Sequence, residues 1–472
     1  MNEATQKQLL EALRETPCAR ESAHKLEPKI GVRVSPGGYF ALAAVLTFVS
    51  VVLLRTNRDL AALLLVAITW IVVPILVITD RLYFDGLKLF RSGFGPLLAR
   101  VAHGRRPQLA VADIERVEVS TVRTLRRGGS VRYRYSIEIS GKGSTFAFAS
   151  GGRNFRQMVR SVLLNLSHEK LDARAFELRE YLAEPKRISE QVDALGIAAP
   201  SVLENTNDRH ARIEKRVGAL ETANLPDEVD RARALREVAN RLRVAGRLRE
   251  SAEAFRRALH LTPHDGWLLY EYARLLRSQA SAFSDAHLLT RACAALKLAL
   301  LRGGEDAQLA ERVGESFFEF GRIVRAGKAL RRAIEIESSS FRALVVLAEL
   351  ALSEGKLAHV IHHYGDAARV APDAASARMA RREADYYARL NDDENYLSAE
   401  LRRMNWLEGA SRVQQFSARV SFAALFVALT GSFIDPIVAS LGWALASSSI
   451  IGWSGALMLR KLLSRRRGME SA

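Results

Sequence analysis

The chain has 472 residues, 49% of them hydrophobic, which excludes a largely disordered protein and leaves room for several domains. The net charge of +17, from 69 Lys+Arg against 52 Asp+Glu, raises the question of a nucleic-acid partner. The basic residues are spread over both tails, residues 81–187 and the helical part, without one stripe of interleaved aromatics. We therefore expect no nucleic-acid partner. Cys18 and Cys293 match no metal or redox spacing, which argues against a disulfide framework.

Four uncharged, apolar stretches come in two pairs at opposite ends of the chain. They are residues 39–54, 60–79, 420–434 and 437–459. The tip joining each pair is too short to carry a folded domain, and a run of about 20 apolar residues can cross a bilayer as a helix. We predict two transmembrane helical hairpins, over residues 38–80 and 412–460. Hairpins buried in a soluble protein are the alternative.

Basic side chains follow the outer ends of these hairpins. They are Arg91, Arg100, Arg105 and Arg106 after the first, and Arg460, Lys461, Arg465, Arg466 and Arg467 after the second. By the positive-inside rule the outer ends face the cytoplasm, although Arg55 and Arg58 at the first tip oppose this orientation. We therefore expect a cytoplasmic N-terminal segment over residues 1–37, a cytoplasmic middle and a basic cytoplasmic tail over residues 461–472. The opening "MNEATQKQLLEALRE" mixes both charges, so we expect no cleavable signal peptide.

Residues 81–185 have the pattern of a small β domain with a closing helix. In "VRYRYSIEIS" apolar residues from Val131 to Ile139 alternate with polar ones, which is typical of a half-buried strand. "SGKGST" lacks the glycine spacing of a phosphate loop and is interpreted as a hairpin turn. "NFRQMVRSVLLNL" predicts an amphipathic helix with Phe155 and Met158 on its apolar side.

A hairpin feeding directly into "TDRLYFDGLKLFRSGFG", then strands and one helix, resembles the bacterial membrane-flanked domain of pleckstrin-homology-like (PH-like) fold, over residues 39–185. The resemblance implies a small bent antiparallel sheet, capped by a C-terminal helix and tethered to the bacterial inner (plasma) membrane. The basic stretch "LRRGGSVRYRY" matches, in charge only, the hairpin that holds phosphoinositides in some eukaryotic members. The candidate lipid-facing residues are Arg126, Arg127, Arg132 and Arg134. A solvated basic face is the alternative.

The middle of the chain carries an internal repeat, after a linker-like segment over residues 186–228. Alanines recur at spacings of 41, 34 and 34 residues; they are Ala258, Ala299, Ala333 and Ala367. All of them except Ala299 follow a turn glycine and a large side chain in the same register. These units resemble tetratricopeptide (TPR) repeats. The resemblance implies an all-α solenoid over residues 229–411, in which "SARMARREADYYARLNDDENYLSAELRRM" forms a degenerate capping unit.

In that family, fixed positions of the first helix of each repeat line a concave groove. Here the candidate groove residues are Arg233, Arg236, Asn240, Arg243, Trp267, Tyr270, Arg274, Arg277 and Arg312. A cationic groove with two aromatic side chains suits an acidic peptide or a C-terminal carboxylate. Arg236, Asn240 and Arg312 match the family's carboxylate-clamp positions, whereas Glu271 and Gln308 depart from them.

No motif for chemical turnover accompanies these units. His359 and His363 share a helix face with no zinc-protease signature, so we interpret them as surface histidines, and we expect no catalytic residue, metal or cofactor. Small residues from Gly442 to Gly455 permit close helix packing within the chain or between copies, which leaves a homo-oligomer open.

The sequence therefore predicts a multidomain membrane protein: two transmembrane α-helical hairpins, a PH-like antiparallel β domain with a C-terminal helix, and an all-α TPR solenoid. We interpret it as a non-enzymatic, membrane-anchored scaffold with a protein partner. Two alternatives stay open. One is a subunit of a membrane transporter or enzyme, for which Asp435 is the single ionisable candidate. The other is sensing of anionic lipid by the β domain.

Overall fold

The computed structural model describes residues 30–34, 37–93, 108–125, 131–151, 154–198 and 228–463. The strands are β1 (Ile30–Arg33), β2 (Arg81–Phe84), β3 (Lys88–Ser92), β4 (Gln108–Ala110), β5 (Arg116–Leu125), β6 (Val131–Gly141) and β7 (Ser144–Ala149). The first helices are α1 (Gly37–Arg55), α2 (Asp59–Thr79), α3 (Phe155–Leu163), α4 (Ala173–Tyr181) and α5 (Pro185–Ala194).

The later helices follow one another with short connections. They are α6 (Glu228–Ala245), α7 (Leu248–Leu261), α8 (Gly266–Phe283), α9 (Ala286–Arg302), α10 (Ala307–Glu319), α11 (Ile323–Ile336), α12 (Phe341–Ser353), α13 (Leu357–Val370), α14 (Ala374–Asp392), α15 (Glu394–Ile434) and α16 (Pro436–Leu463). The chain divides into two compact units. One contains Tyr83–Leu89 and Leu109–Tyr387, and the other contains Arg33–Leu82, Phe90–Gln108 and Ala388–Ala472.

Three helices of the second unit are long and apolar enough to cross a membrane. By length and composition these candidates among the described residues are Asp59–Thr79, Glu394–Ile434 and Pro436–Arg460. α1 packs against α2, and α16 packs against both α15 and α1. Large apolar side chains such as Trp70 and Phe433 point outward, as lipid-facing residues do.

Asp80 is the C-cap of α2, and its contacts explain how this apolar helix passes directly into β2 without a linker. Its backbone N–H donates to the carbonyl of Leu76, and its carboxylate is 1% exposed. That carboxylate accepts hydrogen bonds from the Tyr39 hydroxyl at 2.6 Å and from Arg91 Nε at 2.8 Å. The buried charge thus ties both helices of the first hairpin to β3.

Close backbone contact joins α15 and α16. A Cβ on Gly442 would lie 2.5 Å from the backbone nitrogen of Ala428, and one on Gly431 would lie 2.7 Å from that of Ala439. Only glycine permits this approach. A Cβ on Gly455 would meet nothing within 4 Å, so the small residues of α16 do not all serve the contact with α15.

Two small antiparallel sheets precede the helical region. One has the strand order β1-β2-β3-β4, and the other has the order β5-β6-β7. The alternation in β6 is confirmed, since Ile137 and Ile139 are fully buried while Arg132 and Arg134 are exposed. The turn between β6 and β7 places Lys142 and Gly143 at positive φ, as the hairpin interpretation requires. The apolar side of α3 is buried as well.

Helices α6 to α13 form four pairs, each helix packed against the next, in a TPR-like solenoid. The four repeat alanines are fully buried, in the register that the spacing predicts. Gly246, Gly321 and Gly355 make the turns within pairs at φ of +85°, +70° and +74°, which side chains disfavour. Aspartates cap several of these helices; Asp265 accepts from the amides of Trp267 and Leu268.

Two boundaries differ from the expected ones. The predicted linker begins with α5, whose Ile188 and Val192 pack against Leu235 and Val238 of the first helix pair. The predicted capping unit becomes α14 and the start of α15, and α15 continues without a break for 41 residues. The expected boundary between residues 411 and 412 therefore falls inside one helix, since nothing in its sequence ends the helical hydrogen bonding there.

The first turn of the solenoid docks on the edge of β6. Val131 N–H donates to the carbonyl of Gly246 at 3.1 Å, and the Tyr135 hydroxyl donates to the carbonyl of Val244 at 2.7 Å. A Cβ on Gly246 would lie 1.8 Å from the Val131 oxygen. Gly246 is therefore needed both for its positive φ and for this contact.

We expect Gly246→Ala to lower the thermal stability of the detergent-purified protein more than the matched Gly355→Ala. Both replacements force alanine to a positive φ, at a cost of roughly 1–2 kcal/mol, but Gly355 has nothing within 4 Å of its Cβ position. Gly246→Ala must also move the turn away from Val131. Equal losses for the two variants, measured by thermal unfolding, would contradict the docking of the turn on β6.

Candidate functional site

The inner side of the solenoid is the side formed by α6, α8, α10 and α12, the first helices of the four pairs. Successive members of this set contact one another. The candidate groove residues lie here, and most are closed to solvent. Asn240, Arg243, Tyr270, Arg274 and Arg312 are buried, whereas Arg236, Trp267 and Arg277 are partly buried and Arg233 is exposed.

Helix α4 of the same chain lies against this inner side. It packs on α6 and α10 and on β5. Asp172 caps it: its carboxylate accepts from the amide of Ala175 at 2.6 Å and from that of Val119 in β5 at 3.1 Å. Burial raises the pKa of Asp172 to about 6, although both amide bonds favour the charged form. The sheet thus holds α4 in place.

Glu177 of α4 supplies an acidic group to the groove arginines. Its carboxylate accepts from Arg243 Nη1 at 2.9 Å and from Arg274 Nε at 2.7 Å. Burial by itself would raise the pKa of Glu177, but the charges of the two guanidinium groups outweigh it and lower the pKa to about 2. The carboxylate is therefore ionised throughout the physiological range, with a cation on either side.

Phe176, the neighbour of Glu177, contacts a second part of the groove. Arg312 lies over its ring at 4.8 Å from the centroid, and Arg179 lies over it at 5.0 Å. Arg312 is fully buried and also donates to the His168 carbonyl at 3.2 Å and to Glu315 at 2.9 Å. The only clamp cation from the third repeat is thus engaged within the described part of the chain.

Glu271 accepts hydrogen bonds from the other two clamp positions, Arg236 and Asn240. Arg236 donates to both of its oxygens, at 2.6 Å and 2.9 Å, and Asn240 Nδ2 donates at 2.7 Å. Tyr181 of α4 completes the cluster, with its hydroxyl donating to Glu271 at 2.7 Å. The sequence showed Glu271 only as a departure from the clamp pattern. In the structure it supplies the carboxylate that an external ligand would have brought.

The remaining candidate groove residues have mainly packing contacts. Trp267 Nε1 donates to Asp306, the cap of α10, at 2.8 Å, and its ring packs edge-on against Tyr270. Arg277 lies over the Phe320 ring at 5.4 Å. Arg233 lies 3.7 Å from Asp230 on the exposed surface. These three residues form the more open part of the inner side.

Ion pairs also join the start of β5 to the far end of the solenoid. Arg116 Nη1 lies 2.9 Å from Glu349 of α12, and Arg382 of α14 lies 2.5 Å from Glu115. Together with the contact at Gly246, the three-stranded sheet thus touches both the first helix pair and α14. The sheet and α4 therefore both lie against the inner side of the solenoid.

The other sequence-predicted residues lie elsewhere. Arg132 and Arg134 are exposed on β6, and Arg126 and Arg127 fall outside the described residues. Asp435 caps α16, since its carboxylate accepts from the amide of Ile437 at 2.8 Å. His359 and His363 stack on one face of α13, and no group of three or more His, Cys, Asp or Glu in the described part of the chain could hold a metal ion.

Neither a protein-family model nor a curated protein matches the chain. Among solved structures the chain is similar to two crystal structures of MamA. The first shows 20% identity and a TM-score of 0.26, covering 36% of this chain and 95% of that one. The second shows 20% identity and a TM-score of 0.25, covering 34% of this chain and 96% of that one. The helix pairs and turn glycines of this chain define its solenoid.

Sequence reasoning found the groove cations but not the group that neutralises them. The helix "ARAFELREY" lies outside the repeats, and its periodicity gives no sign that it would meet them. The excess of positive charge at the inner positions of α6 and α8 could have indicated such a group. Buried cations require a counter-charge from elsewhere in the fold.

We expect Glu177→Gln to destabilise the protein by about 3–5 kcal/mol at pH 7, because it leaves Arg243 buried without its carboxylate partner and Arg274 with Glu319 alone. Thermal unfolding in detergent, followed by circular dichroism, measures the change. Glu335→Gln is the control, since Glu335 is 65% exposed and its pair with Arg332 spans 3.4 Å. We expect that control to shift stability by less than about 0.5 kcal/mol.

The same pair of variants tests the pH dependence. The folded pKa of Glu177, about 2, lies below its ordinary value of 4.5, so its stabilisation is present above pH 4.5 and is lost as the pH falls towards 2. We expect the stability difference between the natural protein and Glu177→Gln to shrink as the pH falls through about 4.5 towards 2. A difference that stays constant would contradict the ion pairing.

Glu311 on α10 predicts the opposite pH effect. One oxygen accepts from the Ser340 hydroxyl at 2.8 Å, and the other has no hydrogen-bond partner in the described chain. Burial raises its pKa to about 7, above its ordinary value of 4.5, so its contribution is full below pH 4.5 and declines as the pH rises through 7. We expect Glu311→Gln to stabilise the protein at about pH 8 by on the order of 1–3 kcal/mol, and less at about pH 5. A gain independent of pH would contradict this.

Proposed function

We propose that the chain is a non-enzymatic, membrane-anchored scaffold whose TPR-like solenoid binds a protein partner beside the membrane. The TPR-like fold suggests protein–protein interaction, and three long apolar helices are candidates for the anchor. The basic side chains beside those helices support a cytoplasmic placement of the solenoid in a bacterial inner membrane. The order of four strands, three strands and a closing helix supports a PH-like domain beside it.

One observation carries the proposal for the partner: Glu177 lies between Arg243 and Arg274. The inner side binds a short helix of its own chain through a carboxylate, and an aromatic ring next to it lies under Arg312. A partner segment of the same chemistry, with an acidic side chain next to an aromatic one, would satisfy the same groups. We therefore propose an acidic helical segment as the ligand, bound in exchange for α4.

Competition with α4 sets the conditions for binding. Because α4 is part of the same chain, its effective concentration at the groove is high, commonly in the millimolar range for a short connection. A partner in dilute solution would compete poorly. A partner held at the same membrane surface would share the thin layer to which the anchor confines the solenoid. This is the physical advantage of anchoring such a module.

The test uses a fluorescent peptide of residues 171–183, "LDARAFELREYLA", and the detergent-purified full-length protein. We expect the peptide to bind weakly to the natural protein. It should bind about tenfold more tightly, or better, to Glu177→Gln, because α4 of that variant binds the groove less strongly. A peptide carrying Gln at the position of Glu177 should bind worst, because it lacks the carboxylate. Fluorescence anisotropy measures all three.

Two controls decide the interpretation. Adding Arg274→Gln to Glu177→Gln should abolish the gain in peptide binding, whereas adding Arg332→Gln, on the outer helix α11, should preserve it. Circular dichroism must first show that Glu177→Gln is folded. If folded Glu177→Gln binds the peptide no better than the natural protein, the groove is not exchangeable and the proposal for the partner fails.

A further inference from the structure

The outer edge of β5 is only partly covered by the rest of the chain. Along an antiparallel strand, residues alternately direct their backbone N–H and C=O groups towards the paired strand and away from it. The Val117 carbonyl accepts from the amide of Asp172, which lies outside the pairing of β5 with β6. Val117, Val119, Thr121 and Arg123 therefore direct their backbone groups to the outer edge of the sheet.

The chain begins a further strand on this edge and then leaves it. Leu171 forms a parallel bridge with Val117. One residue later the chain turns into α4, and the carboxylate of Asp172 accepts from the Val119 N–H at 3.1 Å. That carboxylate takes the position in which a parallel strand would present its next backbone carbonyl. The strand addition therefore stops at Val119.

Beyond Val119 the edge is open. Among the described residues, none donates to or accepts from the outward backbone groups of Thr121 and Arg123. Arg123 is exposed, and the side chain of Val122 is 64% exposed. Threonine and valine favour extended structure, and an open edge of such residues pairs readily with another extended segment. Thr121 and Arg123 together offer four backbone groups to a further strand.

A cavity of about 360 Å³ lies beside the open part of this edge. Thr121 and Arg123 line it from the sheet, Arg174 lines it from α4, and Arg277 lines it from α8. None of the three arginines forms an ion pair within the described chain; Arg123 contacts the Ser281 hydroxyl, and Arg277 lies over an aromatic ring. Both carboxylates in the lining are already paired with arginines of the solenoid. The wall beside the open edge is therefore cationic.

We propose that the open edge of β5 binds an extended, acidic segment of a partner protein as an additional strand. The backbone of the segment pairs with Thr121 and Arg123. Side chains alternate between the two faces of a strand, so acidic ones lie on the face of Arg123 and Arg277, and apolar ones lie on the face of Val122. The free backbone groups require an extended segment, and the charge of the wall favours an acidic one.

This site goes beyond the exchange of α4 described above. It uses α4 in its observed place, because Asp172 of the α4 cap occupies the edge next to the open residues. The ligand is extended instead of helical, and it pairs with a strand instead of replacing a helix. The two proposals can therefore fail independently.

The experiment uses the full-length protein in detergent and a fluorescent peptide of four valine–glutamate repeats with blocked ends. Fluorescence anisotropy measures binding. Two further peptides are matched controls. One is N-methylated throughout, which removes its backbone donors, and the other carries lysine in place of glutamate, which reverses its charge.

Two protein variants test the edge itself. Thr121→Pro removes an N–H that points away from β6, so the pairing of β5 with β6 is retained, and circular dichroism checks the fold. Thr121→Val keeps the N–H and the branched side chain. Arg123→Gln/Arg174→Gln removes two cations of the wall, and Arg332→Gln/Arg369→Gln removes the same charge from exposed positions on α11 and α13.

We expect the valine–glutamate peptide to bind, and N-methylation or exchange to lysine to weaken its binding by about tenfold or more. Thr121→Pro should weaken binding about threefold to tenfold, as the loss of one hydrogen bond implies, whereas Thr121→Val should retain it. Arg123→Gln/Arg174→Gln should weaken binding more than its control. Glu177→Gln, the variant expected to bind the α4 peptide better, should not bind this peptide better.

The strand site is overturned if the peptide does not bind the natural protein, if its N-methylated form binds equally well, or if folded Thr121→Pro binds as Thr121→Val does. Equal binding of the lysine peptide, or equal losses in the two double variants, would overturn the acidic character of the ligand. The comparison of peptides uses the natural protein alone, so it does not depend on the folding of any variant.

Discussion

A carboxylate removed from water needs opposite charges around it, and Glu177 meets this need between Arg243 and Arg274. The unit that contains the three-stranded sheet and the solenoid depends on this pairing. It connects α4 to two helices of the solenoid, and Asp172 connects the same short helix to β5. Removing the carboxylate would leave Arg243 buried without a carboxylate partner and Arg274 with Glu319 alone, so the sheet and the helix pairs are best regarded as one folding unit.

The pairing of Glu177 with Arg243 and Arg274 changes how the cationic groove of this protein is interpreted. Arginines on the inner side of a solenoid indicate an acidic ligand by their chemistry, whereas here the carboxylate that Arg243 and Arg274 contact belongs to the same chain. Glu271 acts likewise on Arg236 and Asn240. Any partner at this surface therefore has to displace α4. Its net binding free energy is the difference between its own interaction with the groove and that of α4.

The remaining positive charge is arranged differently. Arg132 and Arg134 are exposed on β6, and Arg156 is exposed on α3. The cations of the groove are stabilised inside the fold, whereas these three face solvent. This contrast separates arginines that hold the unit together from arginines on its surface.

The sequence by itself determined the features that depend on neighbours a few residues apart. The spacing of Ala258, Ala299, Ala333 and Ala367 gave the helix pairs, and the alternation in β6 gave its buried face, since local periodicity decides which side chains are buried. Three of the four apolar runs likewise coincide with the candidate membrane helices. Only the tertiary structure decided where the groove arginines find their counter-charges and why Gly246 tolerates no side chain. Those outcomes depend on groups far apart in the chain, such as Glu177 and Arg243, and no local pattern specifies their distance.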